Sequence, residues 1–214
     1  MEEKISEAIK AAVESAPKRK FVESVDISFT IKDVDLKNPT NRIKEEIRLP
    51  SGRGRELKIA MFAAGEAATK AKAAGITVFS PQEIEDFGSK KGRAKKVANQ
   101  FDFFLSEVPH MGLIGRYLGV VLGPRGKMPR PVPPSLDPGI LATGLRSTVI
   151  IKSGDKMTFH GSFGTVEQSH EELMANAMEV FTRVTNKLER GVGNIRSLFI
   201  KTSMGPAQRI EVIN

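Results

Sequence analysis

The chain has 214 residues, 40% hydrophobic and 27% charged, with a net charge of +8 and no cysteine. That composition supports a buried core in one large or two small domains, unlike a disordered segment. It excludes disulfides, thiolate metal sites and a cysteine nucleophile, and the basic balance favours an anionic partner such as nucleic acid.

The N-terminal segment is acidic and lacks the basic-then-apolar order of a signal peptide. No run of about 18 apolar residues is present to span a membrane, so a soluble intracellular protein is expected. Apolar residues at Ile5, Ala8, Ile9, Ala12 and Val13 predict a helix that stops before Pro17. From Glu23 to Lys32, Val25, Ile27, Phe29 and Ile31 alternate with Ser24, Asp26, Ser28 and Thr30, the pattern of a strand with one buried face. Asp35 to Thr40 reads as a loop and Arg42 to Leu49 as a second strand, broken by "LPSGRGRE" with its Pro50, Gly52 and Gly54.

The pattern then changes. Leu57 to Phe62, Ile76 to Phe79 and Phe101 to Leu105 read as short apolar strands. Between them lie an alanine-rich helix, Ala63 to Ala74, and helices over Pro81 to Phe87 and Lys90 to Asn99. That alternation predicts a parallel α/β unit. A glycine- and proline-rich stretch follows, "GVVLGPRGKMPRPVPP", then a helix from Pro138 to Leu145 and a strand from Thr148 to Ile151. After Lys156 to Phe163, another strand, Ser169 and Glu172 have capping-box spacing. They open a helix with Leu173, Ala177, Val180, Phe181, Val184 and Leu188 on one face; strands over Ile195 to Thr202 and Gln208 to Ile213 finish the chain.

Both ends therefore read as helices on an antiparallel sheet, and the middle as α/β. The expected architecture is mixed α/β and α+β in two domains. A discontinuous terminal domain spans 1–52 and 148–214, and a Rossmann-like domain is inserted at 53–147. The two crossings, at Gly52 and Ser147, are the expected hinge.

No catalytic or metal site assembles. "GPRGKMP" is not a phosphate loop, because Gly123 and Gly126 are too close and Met128 replaces the hydroxyl. The turn Ala63-Ala64-Gly65 lacks the dinucleotide fingerprint. His110, His160 and His170 show no ligand spacing, and the acidic pairs Glu45-Glu46 and Glu171-Glu172 do not converge. No cofactor and no metal are expected. Cations are more informative. "SKKGRAKK" carries Lys90, Lys91, Arg93, Lys95 and Lys96, and the acid-free stretch after Glu107 holds Arg116, Arg125, Lys127 and Arg130. Residues 53–147 carry fifteen Lys/Arg and eight Asp/Glu, a net of +7, against +1 for the remainder. Charge alone would place nucleic acid on the insertion.

Four motifs in order, "KFVESVDIS", "LPSGRGR", "LGPRGKMPRP" and "TSMGP", resemble the ribosomal protein L-one family over essentially the whole chain. The short N-terminus is similar to the archaeal form. The resemblance implies a non-enzymatic constituent of the large ribosomal subunit, cytoplasmic and ribosome-associated. It implies binding to large-subunit rRNA at the mobile side stalk, contact with exit-site tRNA as it leaves, and repression of the protein's own mRNA. It also implies a free monomer without membrane contact, and an RNA surface on the terminal domain, against the charge count. Matched residue by residue, it points to Lys20, Phe21, Ser24, Asp26, Ser197, Thr202, Ser203, Met204 and Gly205. Thr202 and Ser203 would bond sugar hydroxyls, Met204 would lie against a ribose or base, and Gly205 would let the backbone approach. Phe21 either packs beside the turn or stacks on RNA. Lys90, Lys91, Arg93, Arg125, Lys127 and Arg130 would make secondary contacts. The alternative is a nucleotide-binding or RNA-modifying enzyme built on the α/β domain.

Overall fold

The computed structural model describes residues 1–134 and 136–211. The chain divides into two compact units, Met1–Arg55 with Ser147–Asn214, and Glu56–Arg146. Elements are numbered along the chain.

In the first unit, helix α1 (Glu2–Glu14) buries Ile5, Ala8, Ile9 and Ala12, a stripe set by their three- and four-residue spacing. Strand β1 (Ser24–Ile31) buries every second residue. It is central in a four-stranded antiparallel sheet with β8 (Thr158–Thr165) on one side and β9 (Ile195–Thr202), then β10 (Gln208–Ile210), on the other. Val212 and Ile213, which the sequence assigns to the last strand, lie outside the described residues. Helix α7 (His170–Lys187) opens on the expected capping box, with Ser169 Oγ accepting from the Glu172 N–H. The α1 and α7 stripes pack on the inner sheet face, around Val25, Ile27, Phe29, Phe163, Leu198 and Ile200. A two-stranded ribbon, β2 (Lys44–Arg48) with β7 (Thr148–Lys152), extends this core through Ile43, Ile47, Leu49, Val149 and Ile151.

The second unit holds β3 (Ile59–Phe62), α2 (Gly65–Ala73), β4 (Thr77–Phe79), α3 (Pro81–Ser89), α4 (Lys91–Gln100), β5 (Phe103–Glu107), α5 (Met111–Leu122), β6 (Arg130–Val132) and α6 (Pro138–Arg146). Its sheet is parallel in the order β4-β3-β5-β6. Helices α3, α4 and α5 pack together, as do α2 and α6, which makes the unit doubly wound. Phe62, Phe79, Phe87, Phe101 and Phe104 form a continuous set of stacked and edge-on rings at 5.3–6.0 Å.

Two findings depart from the sequence reading. Helix α5 covers 111–122, most of which the sequence reading left unassigned, strand β6 lies in the stretch read only as glycine- and proline-rich, and β5 is shifted two residues along, to Phe103–Glu107. "GPRG" is the C-terminal stop of α5: the Gly126 N–H reaches Gly123 O at 2.9 Å, the Lys127 N–H reaches Leu122 O at 3.0 Å, and Gly126 has φ +67°.

Gly52 is also fixed where a hinge was expected. Asn176, fully buried on α7, accepts from the Ser51 N–H at 3.0 Å and donates to Gly52 O at 2.8 Å and Phe163 O at 2.9 Å. Gln168 donates to Ser51 O at 3.1 Å, and the Leu49 N–H donates to Ser147 O at 2.9 Å. Rotation at Gly52 would break these bonds, so Gly52 is an anchor point within the first unit, whose boundaries fall at Arg55 and Ser147.

Candidate nucleic-acid interface

The inward-facing positions of β1 are 25, 27, 29 and 31, and the residue one period before them, Glu23, is an acid. Glu23 is only 3% exposed. Its Oε2 accepts from the Met204 N–H at 3.3 Å, and its Oε1 pairs with Arg19 Nε at 2.8 Å. A hydrogen bond from the Thr202 side chain, above all, holds the Glu23 carboxyl below its ordinary value; burial opposes this, and the Met204 N–H and Arg19 reinforce it. Glu23 thus ties the α1–β1 loop to the turn after β9. Sequence reasoning missed it as a functional residue, although the period-two pattern that buries Val25 and Ile27 already places position 23 inward.

The turn is stitched to β1 a second time. The Ser203 N–H donates to Ser24 O at 3.0 Å, Ser203 Oγ donates to the same oxygen at 3.3 Å, and the Ser24 N–H reaches Ser203 Oγ at 3.3 Å. The Gly205 N–H closes the turn on Thr202 O at 3.3 Å and Thr202 Oγ1 at 3.0 Å. These bonds correct three expectations. Thr202 is fully buried, so it positions the turn and cannot touch RNA. The Ser203 hydroxyl is engaged with the backbone of Ser24. A Cβ on Gly205 would collide with the Thr202 hydroxyl, so glycine is required there by the turn itself. What the turn presents outward is Met204, 60% exposed, and the adjoining loop presents Lys20 and Phe21, the latter 56% exposed.

The outer sheet face continues from this end. Ser24, Asp26, Ser28 and Thr30 alternate outward on β1, all half-buried. Asp26 pairs with Ser162 and Lys201, Ser28 with His160 and Phe199, and Thr30 with Thr158 and Ser197. Ser197 therefore shares the face but lies five residues from Thr202, about 17 Å along the strand. Burial, the largest effect, raises the Asp26 carboxyl above its ordinary value; His160, Lys201, a hydrogen bond from Ser162 and Arg53 pull the other way.

On the second unit, Lys90, Lys91 and Arg93 are exposed at the start of α4. Lys127 is not available as expected: its Nζ donates to Ala98 O at 2.9 Å and Phe101 O at 2.7 Å, capping the carbonyl end of α4. The Arg130 guanidinium lies 5.4 Å from the Phe103 ring centre and is half-buried. Arg125 is exposed, with one nitrogen bonded to Val121 O. The charge asymmetry also shrinks. Glu56–Arg146 carries thirteen Lys/Arg and eight Asp/Glu, a net of +5, because Arg53 and Arg55 belong to the first unit, whose net is +3.

Residues 9–206 match the model of the Ribosomal protein L1p/L10e family. The chain is 49% identical to large ribosomal subunit protein uL1 of Picrophilus torridus over 95% of each chain. It is 46% identical to the uL1 of Methanocella arvoryzae, over 95% of this chain and 96% of the relative. The uL1 of Thermoplasma acidophilum is also 46% identical, over 97% and 95%. The chain belongs to this family. L1 proteins are structural, non-enzymatic ribosomal proteins. At the carboxyl ends of β3 and β5, where a doubly wound sheet binds its ligand, a cavity of about 270 Å³ opens. The Ala64 N–H at the start of α2, which would face a phosphate, is bonded at 2.9 Å by the carboxylate of Glu107. An internal anion thus stands where a nucleotide phosphate would.

Proposed function

We propose that this chain is a structural constituent of the large ribosomal subunit that binds large-subunit rRNA through its terminal unit, at the side stalk. It assists deacylated tRNA leaving the exit site and represses translation of its own mRNA through a similar RNA fold. The observation that carries the RNA reading is the pairing of an exposed Phe21 and Met204 with a polar, half-buried sheet face, held by Glu23, Thr202 and Ser203. Structured RNA offers sugar hydroxyls, phosphates and base edges in a shallow groove, which short polar side chains and two apolar contacts can read without a strong field. Ser24, Asp26 and Ser197 supply hydroxyls and an acceptor, Lys20 meets a phosphate, and Lys90, Lys91, Arg93 and Arg125 add weaker contacts, to rRNA or tRNA. The protein acts as a monomer when free, and movement between the units falls outside the anchored Gly52.

A gel shift of the full chain against a side-stalk rRNA fragment tests this. Specific binding that survives excess unrelated RNA is expected, and its absence overturns the reading. The same fragment competing with the leader of the protein's own mRNA separates autorepression from rRNA binding.

A further inference from the structure

Beside the turn, an open cleft of about 770 Å³ separates the end of α1 from the segment Val166–Glu167, within the roughly 300–1,000 Å³ range of ligand clefts. It is lined by the apolar Val13, Ala16 and Pro17 and by Lys18, Lys20, Phe21 and Val22. Val22 is 47% exposed beside Phe21, two adjacent apolar side chains at the surface of a basic loop. Glu14 and Glu167 line the cleft as well, and Arg19 and Glu23 are paired with each other. The cleft is continuous with the interface: it shares Lys20, Phe21 and Glu23, and Ala16 Cα lies 3.8 Å from where a Gly205 Cβ would be.

Three kinds of lining match three features of one nucleotide: its phosphate, the face of its base and the edge of its base. Lys18 and Lys20 suit a phosphate. Phe21, Val22 and Val166 form a surface against which an unstacked base can lie. Glu14 and Glu167 are acceptors only, so they pair with a base edge that donates. Adenine, cytosine and guanine carry an exocyclic amino group; the one edge donor of uracil, N3–H, is flanked by O2 and O4, which repel a carboxylate. A plain phosphate channel is a poorer fit, because the acids balance the lysines.

We infer that this cleft receives a single extruded nucleotide of the bound RNA and selects an amino-bearing base over uracil. The inference rests on the RNA reading above and extends it to residues outside the turn. It is tested with the full chain and a side-stalk rRNA fragment in which each unpaired position is replaced in turn by uridine. Affinity is measured by fluorescence anisotropy for the wild type, V22S and E14Q/E167Q, with folding checked by thermal melts. One position should lose about tenfold in affinity on change to uridine with the wild type, and that loss should shrink to about twofold or less with E14Q/E167Q. V22S should weaken binding irrespective of the base. If the wild type binds the fragment but no position shows a base preference that E14Q/E167Q removes, the cleft is empty in the complex and the inference fails alone. If the wild type does not bind, the RNA reading fails with it. A concentration-dependent dimer abolished by V22S, seen by light scattering, would overturn the inference by showing that a second copy fills the cleft.

Discussion

Single residues separate what touches the ligand from what shapes the contact. Met204→Ala removes a side chain that is 60% exposed, so affinity for the stalk fragment should fall by about 1–3 kcal/mol with the melting temperature nearly unchanged. Gly205→Val should lower both, because its side chain meets Thr202 within the turn; parallel melts and binding curves of the two variants check this. Glu23 has a depressed carboxyl, so its contribution is complete above the ordinary value of 4.5 and is lost as pH falls through the lower folded value. This part of the stability should therefore hold from neutral pH down to 4.5 and drop below it. In Glu23→Gln the share of that drop due to this carboxylate should vanish, in urea melts across a pH series. Asp26 has the opposite sign. Its folded value is raised, so between 3.8 and that value the native state binds more protons than the unfolded one, and stability falls as pH rises. Asp26→Asn should melt higher than the wild type at pH 7 and alike below 3.8.

At the scale of elements, Asn176 does for the chain crossing what Glu23 does for the turn. Asn176→Leu leaves the Ser51 N–H and the carbonyls of Gly52 and Phe163 without their partner, at a cost of about 1–3 kcal/mol. Urea melts should show this loss, and RNA affinity extrapolated to fully folded protein should be kept. Where periodicity dominates, the sequence is readable: α1, β1, β9 and α7 follow from their apolar spacing, and the capping box from Ser169 and Glu172. Helix α5 is not readable, because Gly112, Gly115 and Gly119 together mimic a loop, each glycine in a helix costing about 1 kcal/mol relative to alanine. It forms because Ile114, Leu118, Val121 and Leu122 bury against α3 and α4. The site divides similarly. Phe21 and Met204 are marked by motif, whereas the inward direction of Thr202 and the cap made by Lys127 depend on tertiary partners that spacing does not name.

For the whole molecule, net charge is a poor guide to which unit reads RNA, since moving a boundary past two arginines nearly levels it. Joining Arg55 to Ser147 and deleting residues 56–146 should leave a cooperative fold, because β2 and β7 already pair across the cut. That fold should retain specific binding to the stalk fragment. The salt dependence of full-length binding should be shallow, equivalent to about two to four phosphate contacts; a slope near ten, or loss of specificity in the folded deletion, would return the site to the insertion. The nesting of one unit inside the other also orders events during synthesis. Strand β1 is made early, but both its neighbours, β8 and β9, come after residue 157, and Ser24 must wait for Ser203, 179 residues later. The insertion can close while the chain is still growing, whereas the four-stranded sheet of the first unit cannot. Under the proposed function, a nascent chain therefore lacks its RNA-reading surface until it is nearly complete, and only a finished copy would compete for the rRNA or repress its message.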